Sequence, residues 1–473
     1  MAYYILKSYK LKVDPFDIFR ILNEEKNSFF LDSVLNSKQE GRYSFLGIDP
    51  FYTLKAKGEL PFRRLKEELN KYKISVRPGA PPFLGGAVGY LAYDLGFLLE
   101  KKLKKANEDD LMIPDYFFGF FNAAVIIDNK KKIIYLFASG IPEKRQNLAK
   151  SLAEANFKKL YNLVCLAAKS KASPKVSGLA ARNYQGELKS NFCLRDYLAA
   201  IEKAKDYIRA GDIYQINLSQ RFEAKTNFTG FDIYERLRKI SPSNFSAYLD
   251  AGGFEIISSS PERFLSLEGK RVLTRPMKGT RPRGKTAKED SCLRNNLLKS
   301  AKDRAELMMI LDLERNDLGK VCDYDSIKVP ELRRLEKYAT VYQTTSTVEG
   351  RLFKGKDRFD LLRACFPGGS ITGCPKVRAM EIIEELEPAR RSIYTGALGY
   401  LSFSGNMDFN ILIRTLLKKK DKLYFGVGGG IVADSDPQAE YEETLVKARA
   451  MISAITPRTV SLSNRRSVPT VIR

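Results

Sequence analysis

Apolar and polar positions along this chain fall into two textures. The opening segment DPFDIFRILNEE reads as a helix, and the stretch AAVIIDNKKKIIYLFA at 123–138 reads as a hairpin, two β-branched runs around a polar turn. A glycine-rich run, FLGGAVGYLAYDLG, lies at 83–96. The stretch KSKASPKVSGLAARNYQGELKSN at 169–191 has few large apolar residues and reads as a linker or long surface loop. From 192 to 455 the chain is dense in helices, strands and polar motifs, and the last segment, 456–473, has no helical periodicity and reads as a basic tail. The predicted division is therefore 1–168, 169–191, 192–455 and 456–473. Helices and short strands mix without regular βαβ spacing, which predicts an α+β fold with largely antiparallel sheets. No repeat at solenoid periods is present.

Composition narrows the picture. The 473 residues are 44% apolar, with 28 Phe and 24 Tyr, enough for one or two substantial cores. The N-terminal residues carry no apolar run of signal-peptide type, and no stretch is long and apolar enough to span a bilayer. A cytoplasmic protein without a membrane partner is expected. Cys165, Cys193, Cys292, Cys322, Cys365 and Cys374 include no CxxC pair, and are expected to be reduced, mostly buried thiols. The chain has no histidine. That removes a Ser-His-Asp triad, a Cys-His glutaminase or protease and a His-ligated zinc, and leaves proton transfer to Glu, Asp, Lys, Tyr or water. The formal charge of +24 raises a nucleic-acid-binding alternative, which predicts salt-sensitive oligonucleotide binding. The basic residues, however, are spread in short clusters such as KKLKK at 101–105, with no RNP-type aromatic stripe or helix-turn-helix pattern. No nucleic-acid partner is expected.

Four segments carry candidate chemistry. In DSDPQAEYEETLVKARAM (434–451), Asp436 suits an N-cap and Pro437 the first helical position, so a helix should begin there. Glu440 and Glu443 then share a face, with Lys447 one turn on. They form either a solvated face with a Glu443–Lys447 pair or two oxygen ligands for a hard cation such as Mg²⁺. The glycines Gly428, Gly429 and Gly430 just before would let backbone approach a ligand. Glu306 lies in a helical pattern and is either an exposed acid or a third ligand. Glu262 in SSSPERFL and Lys278 in VLTRPMKGTRPRG form either a salt-bridged loop or a lysine whose neutral amine attacks, with a carboxylate to move protons. Arg414 interrupts the alternating run NILIRTLL, read as a strand, and needs a carboxylate partner from the protein or from a substrate.

Taken in order, GDIYQINLSQRF (211–222), SPERFL, TRPMKGTRPRG, DLERNDLGK (312–320), FPGGSITGCPKVRAMEII (366–383), YTGALGYL (394–401) and GGGIVADSDPQAEYEET (428–444) closely resemble the chorismate-utilising family. The likeness is to component I of anthranilate synthase and of aminodeoxychorismate synthase. It covers essentially all of 192–455 and extends more weakly into 1–168 through FFLDS, GRYSFLG and GGAVGYLAYDLG. The resemblance implies a two-layered α/β sandwich of antiparallel sheets with helices outside and the active site between the layers. It implies that Glu306, Glu440 and Glu443 hold Mg²⁺, which binds the ring carboxylate of chorismate. Tyr394, Arg414, the backbone of Gly428, Gly429 and Gly430, and Lys447 would hold the substrate's carboxylates, with Ser370 and Thr372 lining the same pocket.

Two motifs separate the branches. Anthranilate synthases resemble RPxAGTRPRG and QVVPSQRF, whereas here the chain has Lys278 and, in QINLSQRF, Asn217 and Leu218. Both favour aminodeoxychorismate synthase, with anthranilate synthase component I as the alternative. In the resembling enzymes the lysine adds at C2 of chorismate as the C4 hydroxyl leaves. Ammonia then adds at C4 and expels it, with Glu262 as general acid and base. Without histidine this chain would need a separate glutaminase subunit, component II, to supply ammonia. Gln343 stands where the family often has histidine, and Cys374 where it usually has alanine. FLDS (30–33) and SPSNF (241–245) only approximate the elements of tryptophan-inhibited enzymes, so inhibition by tryptophan is not implied.

Overall fold

The computed structural model describes residues 3–35, 41–100, 102–104, 107–169, 188–338 and 341–456. The fold is α+β, two large antiparallel sheets with helices packed outside, as the motifs imply. Among the described residues, the first sheet runs from Tyr4–Lys10 through Ile133–Ser139, Ala123–Asp128, Tyr43–Gly47, Phe29–Asp32, Phe245–Asp250, Glu255–Ser260, Thr415–Lys419, Lys422–Ile431 and Gln215–Lys225 to Gly373–Cys374. The second runs from Met277–Pro282 through Val341–Arg351, Arg271–Arg275, Arg263–Glu268, Met407–Ile411, Ala397–Ser402, Gly86–Leu91 and Tyr116–Phe121 to Tyr52–Ala56.

The period of two along the strands builds the layers. In the first sheet Phe29, Phe45, Ile126, Ile256 and Leu417 enter the core shared with the second sheet. Their sequence neighbours Phe30, Leu46, Ile127, Ile257 and Leu416 face the other way, into a core made with helices Pro15–Leu22, Gln146–Lys169, Gly230–Ile240 and Pro437–Ile455. A third cluster joins helices Leu194–Arg209 and Lys376–Leu386 to Ile216, Leu218 and Ile431. Each large side chain buried in these cores contributes on the order of 1.5–3 kcal/mol.

The local readings hold where the signal is local. Ala123–Asp128 and Ile133–Ser139 pair as the predicted hairpin. The helix Pro437–Ile455 starts where expected, with Asp436 accepting from Ala439 N at 2.8 Å. The run NILIRTLL is not one strand. It breaks at Arg414, whose φ of 50° is left-handed, and Met407–Ile411 lies in the second sheet while Thr415–Lys419 lies in the first. The cysteines are unpaired, but only Cys322 and Cys365 are buried, and Cys193 and Cys292 are exposed.

The sequence regions 1–168 and 192–455 share both sheets. Phe29–Asp32 pairs with Phe245–Asp250, and Gly86–Leu91 with Ala397–Ser402. At the ends of the 169–191 stretch, Lys169 closes a helix and Lys189–Ser190 pairs with the Gln215–Lys225 strand. Residues 170–187, and the tail beyond Thr456, lie outside the described residues. Among the described residues no helix is long and apolar enough to cross a membrane.

Candidate active site

Two crossings between the sheets lie side by side and bring the chemistry together. Glu262 sits where the chain leaves Glu255–Ser260 in the first sheet for Arg263–Glu268 in the second. Arg414 sits where it returns, from Met407–Ile411 to Thr415–Lys419. Ile411 N donates to Glu262 O at 3.1 Å, Ser260 Oγ to Ile411 O at 2.6 Å, and Ser259 N to Arg414 O at 3.1 Å. The two crossings therefore hold each other.

Glu262 is buried, and Ser370 Oγ donates to its Oε1 at 2.6 Å. Burial pushes its carboxyl up to about 7 against the opposing pull of the Ser370 bond and of Lys278. A carboxyl near neutrality is suited to both giving and taking a proton. Arg414 is held below its ordinary value by burial. Among the described residues its guanidinium has no hydrogen bond or ion pair, so its five donors are available to an anion.

Lys278 lies on the Met277–Pro282 strand opposite Thr344, whose hydroxyl donates to the Lys278 carbonyl. A bulge follows at Gly279, with φ of 76°, and a Cβ there would stand 2.8 Å from Leu297 Cδ1. Only glycine combines that backbone with that contact. The Lys278 ammonium is 3.9 Å from Glu306 Oε2. It also lies over Gly430: a Cβ on Gly430 would come 3.2 Å from Lys278 Nζ and 2.4 Å from Gln215 Nε2. The bare glycine backbone leaves this space open.

Glu440 is buried, accepts from Ser435 Oγ at 2.7 Å and faces Lys302 Nζ at 3.5 Å. Glu443 pairs with Lys447 at 2.8 Å, and that ammonium, one turn away, holds the Glu443 carboxyl below its usual range. Lys447 also donates to Gly428 O at 2.8 Å. A Cβ on Gly429 would lie 3.2 Å from Glu440 Oε2 and 3.8 Å from Glu443 Oε1, so both acids look onto the same glycine. Glu306 is raised by burial and lowered by Lys278 and Lys302, with Glu440 close enough to act on it. The three acids thus gather around one glycine run and three lysines, Lys278, Lys302 and Lys447. Among the described residues no group of acidic or thiol side chains is closed around a point in a way that could hold a metal ion. Hard carboxylate oxygens fit Mg²⁺ in kind. In this arrangement the lysine ammonium groups occupy the positions of positive charge among them.

The remaining predicted residues divide. Ser370, in the turn Gly369–Ile371, faces Glu262. Thr372 is fully buried, and its hydroxyl donates to the carbonyls of Gly368 and Gly369, so it supports the turn and has no exposed surface to offer a pocket. The Tyr394 ring lies on Gly426, where a Cβ would stand 2.4 Å from Cγ. Beneath the site a buried ion pair, Arg391 with Glu387 at 2.6 Å, joins its segments. Arg391 donates to Ile371 O at 2.9 Å and to Asn217 O, and Ser219 N and Oγ both donate to Glu387 Oε1 at 2.8 Å. Gln343 is buried with Nε2 on Thr280 Oγ1 at 3.2 Å, beside the lysine strand.

Sequence reasoning missed Gln215 and Lys302. Gln215 is buried with Oε1 unpaired, and its signal was the period of two that puts it on the face of Asn217. Lys302 is one turn before Glu306, and nothing in its own helix signals the contact with Glu440.

The chain has counterparts among known proteins. The family model described as chorismate binding enzyme matches residues 31–453. The chain is 37% identical over 437 residues to aminodeoxychorismate synthase component 1 of Bacillus subtilis, covering 89% of this chain and 91% of that protein. It is 39% identical over 440 residues to anthranilate synthase component 1 of Thermus thermophilus, covering 90% and 92%. Among solved structures it matches anthranilate synthase component I from Streptococcus pneumoniae, with a TM-score of 0.75, 33% identity and coverage of 88% and 93%. The menaquinone-specific isochorismate synthase of Escherichia coli matches in fold, with a TM-score of 0.73 at 16% identity and coverage of 96% and 95%.

Proposed function

This chain belongs to the chorismate-binding enzyme family and acts on chorismate, and we propose that it is the component I that converts chorismate and ammonia to 4-amino-4-deoxychorismate. The observation that carries the choice is Lys278, whose amine lies over Gly430 in the candidate site. With alanine there, an amine could reach C2 freely. With lysine, C2 is taken by the side chain.

In the proposed sequence Lys278 first gives its ammonium proton to solvent, and its neutral amine then forms a bond to C2 as the ring double bonds shift and the C4–O bond breaks. Glu262 gives its proton to the departing hydroxyl, which leaves as water. Ammonia then bonds to C4, the double bonds shift back, and the C2–N bond breaks to return the lysine amine. Glu262, near neutrality, takes up the proton that ammonia sheds. Arg414 binds a substrate carboxylate, for which its unpaired guanidinium supplies a bidentate fork. Mg²⁺ held by Glu306, Glu440 and Glu443 would supply positive charge for the ring carboxylate. A separate glutaminase subunit supplies the ammonia in this reading, since a Cys-His-Glu glutaminase needs the histidine this chain lacks.

The second reading is anthranilate synthase component I, favoured by the 39% identity to the Thermus thermophilus protein. Incubation with chorismate, Mg²⁺ and an ammonium salt separates the two. The proposal expects an amine product, identified by mass spectrometry, that an added lyase turns into p-aminobenzoate. Fluorescent anthranilate as the main product overturns it.

A further inference from the structure

The segment DLERNDLGK carries a carboxyl that the chemistry above leaves unused. Glu314 is 3% exposed, on the inner face of the helix Ala301–Gly319. Thr274 Oγ1 lies 3.3 Å from its Oε2, and the backbone amide of Gly369 acts on it as a hydrogen-bond donor. The fit is close: a Cβ on Gly369 would stand 3.3 Å from Glu314 Oε1 and 2.7 Å from Leu313 Cδ2. Gly369 and Ser370 are successive residues of one turn, and Ser370 holds Glu262. A single short turn is thus gripped by two buried carboxyls, one from the helix and one from the sheet crossing.

Glu314 has no ion pair of its own among the described residues, though the Lys376 charge pulls its carboxyl down against burial, Asp317 and Glu262. On its own helix, Asp317 is buried and paired with Lys376 of the helix Lys376–Leu386 and with Lys320 at 2.8 Å. Lys376 also donates to Cys365 O at 3.1 Å, where the helix Arg358–Cys365 ends. Across the turn stands Glu262. Both lysines are engaged by Asp317, and among the described residues Glu314 has no ion pair.

We propose that Glu314 is the positioning residue of the acid–base centre: its carboxyl grips the Gly369–Ile371 turn and so fixes Ser370 against Glu262. This rests on Glu262 as the acid and base of the reaction. Burial first, and Asp317 next, push the Glu314 carboxyl up to about 8, so it keeps its proton at neutral pH. Above that it ionises next to an ionised Glu262, and the turn is held by two like charges.

The test follows loss of chorismate with an ammonium salt, and thermal unfolding, from about pH 5 to pH 9 in wild type, Glu314→Gln and Glu314→Leu. Glu314→Gln keeps a neutral hydrogen-bonding group. It should stay within about threefold of wild type at pH 7 and lose less Tm than wild type between about pH 6 and pH 9. Glu314→Leu should fall about tenfold and move the Glu262 limb of the profile upward by about one pH unit, because Ser370 is no longer fixed. Should the leucine variant not fold, Glu314→Asp, which withdraws the acid by one methylene, must show the same shift. Limbs that stay at their wild-type positions, whatever happens to Tm, make Glu314 a packing residue and overturn the proposal. So does a glutamine variant as impaired as the leucine one. Loss of chorismate is read whichever amine forms, so anthranilate as the product would sink the functional reading while leaving the limb comparison valid.

Discussion

Ser370 Oγ donates to Glu262 Oε1 at 2.6 Å across 108 residues of sequence, and the bond is buried. It fixes a carboxyl at the crossing between two sheets, where burial raises it to about 7 from an ordinary 4.5. Because the folded value is the higher, the protonated form stabilises the fold. That contribution is complete below about 4.5 and is lost as the pH rises through about 7. Glu262→Gln, neutral at every pH, should therefore gain stability relative to wild type between about pH 5 and pH 8, by at most about 3 kcal/mol. Urea unfolding at the two pH values reads this directly, and no relative gain would place the carboxyl at its ordinary value. The same variant should lose activity by about 10²–10⁴-fold.

Lys278 bears the choice of product. Lys278→Ala should lose aminodeoxychorismate formation by at least about a hundredfold, and any surviving activity should move towards anthranilate. Mass spectrometry beside anthranilate fluorescence checks both arms. An unchanged product profile counts against a nucleophilic lysine.

Lys302 and Mg²⁺ compete for Glu440 in our reading. Chelation should abolish turnover, and calorimetry should find Mg²⁺ bound at least about tenfold more weakly by Glu440→Gln. Lys302→Ala should act in the opposite sense and tighten Mg²⁺ by about threefold or more, since it removes a cation 3.5 Å from the carboxylate. Weaker binding in that variant would mean that the lysine supports the ion.

The Arg414 guanidinium has no hydrogen bond or ion pair to lose among the described residues, and only the charges of Tyr338 and Glu262 act on it. Arg414→Met should therefore change stability by no more than about 1 kcal/mol, while the KM for chorismate rises by about 10–100-fold. A large loss of stability with an unchanged KM would assign the guanidinium to the fold.

The Arg391–Glu387 pair has the opposite character. It is buried on both sides and bonded to the backbone of two site segments. Arg391→Met leaves Glu387 charged and uncompensated, and should cost about 3–5 kcal/mol in chemical denaturation. A loss below about 1 kcal/mol would show that water or a neighbour replaces the arginine.

Sequence alone decided whatever depends on near neighbours. The 123–138 hairpin followed from two apolar runs and a polar turn, and the helix after Asp436 from a cap and a proline. The residue types available for chemistry, and the exclusion of imidazole, were also fixed there. Tertiary structure decided what depends on distant segments and on burial. The run around Arg414 has the alternation of a strand, yet the chain must pass from one sheet to the other there, and the arginine takes a left-handed backbone. The two sequence regions differ in texture, and each sheet draws strands from both, a pairing of distant segments that no local pattern carries. Glu262 and Glu314 are ordinary carboxyls in sequence. Only the packing of a helix, a turn and a crossing removes water from them, and desolvation is a property of everything around a group, not of the group itself.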